Sequence, residues 1–164
     1  MPDIREELCR FIRLNEEERW VGAYDGLEEL ERFGEGVIPG LIECLRDGHP
    51  DVRQLAVQLL VAARPRSNSA VPALIGRMAD EDWLVITTVM LGLGDFGPLA
   101  AGAIPQVEAW LESPNEYLRL MAATTIIKLD PSRTEFLPMI LDASKSDLLV
   151  VRDFAREFFD ERMS

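Results

Sequence analysis

One histidine, two cysteines and one short run of acids are the residues in this chain whose types could support metal or nucleophilic chemistry. A metal site needs His, Cys or carboxylates clustered at ligand spacing. His49 stands alone in a Gly-His-Pro turn, and Cys9 and Cys44 lack a CxxC neighbour, so both cysteines read as small core residues. Asp80-Glu81-Asp82 is the densest carboxylate cluster. It reads as a helix-start charge run, where acids face the positive end of the helix dipole, ahead of a cation site. His49 reads as a capping or loop residue. Serine or cysteine catalysis needs a partner base, and no such pairing with His49 has informative spacing. The glycines of the segment from Gly92 to Gly97 follow a helical pattern and not a strand, which argues against a dinucleotide loop. The expectation is a protein without catalytic residues, cofactor or metal.

Composition narrows the partners. Of 164 residues, 48% are hydrophobic and 28% charged, which suits a folded chain. The formal charge of −12 repels phosphate backbones and anionic lipids, so neither nucleic acid nor a membrane is an expected partner. The opening Met-Pro-Asp-Ile-Arg-Glu-Glu sets acids where a secretory signal needs bases. The uncharged run from Trp83 to Leu91 is far short of the roughly 20 apolar residues that span a bilayer. With no cysteine framework, a cytoplasmic location is expected.

The elements that would position any site are set by a repeat. Pro39, Pro72, Pro105 and Pro138 each follow an aliphatic residue and recur every 33 residues. Thirteen positions after each proline stand Val52, Val85, Leu118 and Val151, followed by Arg53, Ile86, Arg119 and Arg152. A small or β-branched column comes next, Ala56, Val89, Ala122 and Ala155, and then Leu60, Leu93, Ile126 and Phe159. One period earlier lie Arg19, Ala23 and Leu27, the trace of a degenerate half-repeat.

Each unit reads as two helices. Proline fits a first helical turn, whose N–H groups have no intrahelical partner. The first helix, for example 37–46, ends near Asp47-Gly48. The second starts at His49, Asp82 or Asn115, where a side chain can cap free amides. Apolar residues at i, i+4 and i+8 then form one stripe. A single pair cannot bury that stripe, so neighbours must stack. The predicted fold is all-α: one right-handed α-α superhelix of about four to five antiparallel helix pairs. A cap and half-repeat occupy 1–36, and repeats occupy 37–69, 70–102, 103–135 and 136–164. The last helix is expected to turn Val151, Phe154, Ala155, Phe158 and Phe159 inward and Asp153, Arg156, Glu157 and Asp160 to water.

These units resemble HEAT repeats, in the short bacterial form grouped with phycobilisome-lyase HEAT-like repeats. The segment 37–60 carries the resemblance best, with Asp47, Pro50, Val52, Arg53 and Ala56 on the loop-and-second-helix pattern. Leu118-Arg119 with Ala122, and Val151-Arg152 with Ala155, repeat it, whereas Ile86 departs from it. The resemblance implies a solenoid in which Arg53, Arg119 and Arg152 bond acidic or carbonyl groups in the turns of neighbouring repeats. It also raises a bilin-lyase-like subunit as a lesser alternative.

In such a solenoid the second helices line the concave side. The residues then expected to face the groove are Val57, Gln58, Val61, Thr87, Met90, Leu91, Leu120, Ala123, Thr124 and Ile127, an apolar floor between acidic rims. The reading is an adaptor or scaffold, monomeric, binding a protein or a peptide with basic flanks. Two alternatives stay open: a homo-oligomer burying the same patch, or an immunity or inhibitor protein. Neighbouring second helices could also bury these residues against each other. Trp83 and Trp110 are expected to pack near turns, and Trp20 at the N-terminal end.

Overall fold

Proline near the start of a helix and a capped second helix after a short turn generate the elements seen in the computed structural model. It describes Asp3, Glu6 and residues 37–163. The readings of Cys9, Trp20 and the half-repeat over 1–36 lie outside these residues. The helices are α1 (Val37–Cys44), α2 (Pro50–Ala62), α3 (Val71–Gly76), α4 (Trp83–Phe96), α5 (Ile104–Glu108), α6 (Glu116–Leu129), α7 (Leu137–Ala143) and α8 (Leu149–Met163). Among the described residues there is no strand, and the architecture is all-α, a succession of helix pairs. Pro72, Pro105 and Pro138 occupy the first turns of α3, α5 and α7. The first helices of the middle repeats are shorter than the spacing suggests, because 3-10 turns continue them at Arg77–Ala79 and Ala109–Glu112.

Two of the second helices, α4 and α6, start as capping chemistry requires. Asn115 accepts from the amides of Tyr117 and Leu118, and Asp82 accepts from those of Leu84 and Val85. His49 precedes α2 but makes no side-chain cap bond; its Nδ1 lies 3.6 Å from Asp51 Oδ2 instead.

Two compact units divide the chain, Met1–Gly92 and Leu93–Ser164. In the first, Leu41, Cys44, Val52, Ala56, Leu60, Leu74, Val85 and Val89 are buried. The arginine column is represented there by Arg53, itself only 4% exposed. In the second, α6, α7 and α8 share a core of Leu120, Ala123, Ile127, Ile140, Ala143, Val151, Ala155 and Phe158, with Phe154 and Phe159 partly buried against it. The polar residues expected on the outside of α8, Asp153, Arg156, Glu157 and Asp160, are exposed.

The apolar composition of α4 continues through Glu112, far enough by length and composition to cross a membrane, although 56% of its most apolar window is buried. The backbone interrupts it. Gly97 adopts φ 59°, a left-handed conformation that ends α4, and Ala100 departs from helical geometry. The 14 residues of α4 reach only about 21 Å, short of the roughly 30 Å of a hydrocarbon core.

Candidate partner-binding surface

The turns of the first unit are held by the acids that stood out in the sequence. Arg53 donates from Nε to Asp80 Oδ2 (2.9 Å) and from NH2 to Asp80 Oδ1 (2.7 Å), a bidentate pair between one repeat's second helix and the next repeat's turn. Its NH1 donates to the Asp47 carbonyl at 2.9 Å. Asp80 also accepts from the Asp82 amide and lies 3.5 Å from Arg77 NH1, which in turn donates to the Leu45 carbonyl. Burial pushes the Asp80 carboxyl up, but the Arg53 hydrogen bonds and the Asp82 amide outweigh it and hold the group below the usual carboxylate range. The same hydrogen bonds raise Arg53 against the opposing effect of burial. Asp80 and Asp82 are committed to protein groups, one as a clasp and the other as a cap, while the exposed Glu81 lies 3.7 Å from Arg53.

Arg119 and Arg152 keep half of this arrangement. Each donates from NH1 to the carbonyl six residues before it, Ser113 at 2.7 Å and Ser146 at 3.2 Å. For Arg119 the position that matches Asp80, 27 residues on, holds Ser146 instead of an acid. The clasp was therefore visible as a second column in the repeat.

The expected groove floor is corrected by burial. Val57, Thr87, Met90, Leu120, Ala123, Thr124 and Ile127 are all 8% exposed or less, so as placed they are core and not floor. The reason is the direction of the helix flank that carries them. Leu120, Ala123 and Ile127 pack toward α7 and α8 of the next repeat. Val57 and Val61 press on α4, where a Cβ placed on Gly92 would stand 2.6 Å from Val61 Cγ2. Gln58 and Val61 are half-buried, and of the ten only Leu91, at 39%, is well exposed.

Water instead meets α4 along Leu84, Thr88, Leu91 and Asp95, at steps of four, three and four. Leu84 is 42% exposed, and Trp83 beside it, expected to pack, is 61% exposed. Thr88 accepts from Gln54 of α2 and donates to the Leu84 carbonyl. The helix is thus apolar on its wet side as well as its dry one.

In the second unit the matching face of α6 and α8 is aromatic at one end and ionic at the other. Tyr117 and Phe154 pack edge to face with centroids 5.4 Å apart. At the other end Lys128 Nζ sits 2.9 Å from Glu161 and 3.9 Å from Asp95. Contacts at both ends show that α6 and α8 run side by side in the same direction. At the turn before α7, Arg133 pairs with Glu108 (3.0 Å) and with Glu135, and lies over the Phe136 ring.

Stacked helix pairs with a 33-residue step and a turn-binding arginine match a model described as HEAT repeats over residues 38–127, more than half of the chain. The chain belongs to the HEAT-repeat family. The fourth HEAT unit lies beyond that match yet carries the same columns in Pro138, Val151, Arg152 and Ala155. Among solved structures, the chain is similar to one in the complex of CpcE and CpcF of phycocyanin lyase from Nostoc sp. PCC7120. The identity is 25% and the TM-score 0.56, over 79% of this chain and 52% of that one. This HEAT protein therefore spans about half the length of that relative. No protein of curated function matches it.

Proposed function

We propose that this chain is a non-catalytic adaptor that binds another protein through the exposed stripe of α4. The observation that carries the reading is the pair Leu84 and Leu91, two large aliphatic side chains exposed one above the other on a helix whose opposite face is core. Exposed apolar surface of this kind commonly marks an interaction site. HEAT repeats commonly mediate protein interactions, and the similar solved structure is itself a complex of two proteins. A lyase-subunit role is the second reading, favoured by that likeness alone.

The test uses Leu84→Asp/Leu91→Asp, checked for helical content by circular dichroism. Partners captured from native lysate by wild type are identified, purified and titrated against both forms by calorimetry. A loss of tenfold or more in affinity, about 1.4 kcal/mol, supports the reading. An unchanged Kd in the folded variant overturns it. A wild-type chain that elutes as a dimer, dispersed by the same substitutions, supports a homo-oligomer instead; a species of 18.5 kDa is the monomer.

A further inference from the structure

The face shared by α6 and α8 has a composition that the α4 stripe lacks. Tyr117 and Phe154 are half-buried and fixed against each other. Val150, one turn before Phe154, is 58% exposed. Glu157, one turn after Phe154, is exposed, and its charge reaches the Tyr117 hydroxyl: burial first, and then Glu157, raise the phenol pKa. Among the described residues Glu157 and Asp153 form no ion pair, whereas Lys128 on the same face is already neutralised by Asp95 and Glu161.

Two rings, an exposed aliphatic side chain and an uncompensated carboxylate together suit a cation with an apolar neighbour. A planar guanidinium fits best, because it can lie against a ring while its N–H groups reach a carboxylate. We infer that this face binds an arginine of a partner segment, with the guanidinium at Tyr117, Phe154 and Glu157 and an adjacent aliphatic residue on Val150. The inference rests on the partner-binding reading but uses a different surface. A second copy of this chain is the wrong occupant, since it would bring another −12 charge to an acidic face.

The probe is a fluorescein-labelled helical peptide with arginine and leucine at i and i+4, titrated into the full chain by anisotropy. The control peptide carries citrulline, the neutral isostere, in place of arginine. The arginine peptide is expected to bind more tightly. Tyr117→Leu and Glu157→Gln should each weaken it about two- to fivefold, with Tyr117→Phe binding as wild type does. Equal binding of the arginine and citrulline peptides overturns the inference. So does unchanged affinity in folded Tyr117→Leu and Glu157→Gln, or the absence of saturable binding. Those results leave the α4 reading standing if the natural partner still depends on Leu84 and Leu91. A dimer of this chain that the arginine peptide dissociates also overturns it, because the face is then filled by a copy.

Discussion

Truncating Asp80 to alanine strands a guanidinium that is only 5% exposed. Arg53 would lose both bonds to the carboxylate and keep its bond to the Asp47 carbonyl, with the exposed Glu81 at 3.7 Å as its nearest anion. Breaking a buried pair from one side costs roughly 3–5 kcal/mol. The surviving carbonyl bond places Asp80→Ala near the lower end, about 3 kcal/mol, a large share of the roughly 5–15 kcal/mol that holds a domain folded. Removing both charges should cost much less, so Arg53→Met/Asp80→Ala is expected to recover about 1–2 kcal/mol of the loss. Urea unfolding followed by circular dichroism reads each midpoint, and the four proteins close a double-mutant cycle. Acidity adds a signed test. The Asp80 carboxyl is depressed in the folded chain, so its contribution is fully present above the unfolded pKa of about 3.9 and is lost as pH falls through the lower folded value. The gap between wild type and Asp80→Ala should therefore close in strong acid. An Asp80→Ala chain within about 0.5 kcal/mol of wild type at neutral pH, or a double variant no more stable than the single, would refute the clasp.

Gly92→Ala should destabilise by about 1–3 kcal/mol through overpacking, since the new methyl group would stand 2.6 Å from Val61 Cγ2. Adding Val61→Ala should relieve part of that loss in the same urea assay. Asn115→Ala should cost about 1 kcal/mol by removing a working helix cap, whereas His49→Ala, whose ring caps nothing, should leave the midpoint almost unmoved.

The period and the fold class were legible because they depend only on which residues recur. Four prolines and the Val/Leu, Arg and Ala columns are enough to place every described helix pair. The faces were harder to read. A shift of one residue turns a helical position by about 100°, so Thr87 and Thr88 are equally plausible groove residues in the sequence, yet one is 8% exposed and the other meets water and Gln54. The side on which α2 meets α4, where Gln54 reaches Thr88, decides between them. The apolar residues at 57, 90, 120 and 123 carry no mark distinguishing a neighbour's flank from a groove. Trp83 misled for a related reason: its size suggests packing, while its place at the first residue of α4 leaves it outside the core. Asp80 could have been found. It shares a column with Asp47, Ser113 and Ser146, and an acid one repeat on from a recurring arginine is a readable pairing.

The row Asp95, Lys128 and Glu161 has a consequence for the order of the units. All three residues occupy the same position of the 33-residue step, yet their charges alternate. Plain duplication of one unit would fill such a row with copies of a single charge, each repelling the next. An alternating row instead assigns each of these three repeats its place, next to the uncharged Ala62 of the repeat before them. Exchanging the unit that carries Lys128 with the one after it would set two carboxylates side by side and leave the lysine at the margin. The units share one period without being interchangeable, and this row of charges records their sequence along the stack.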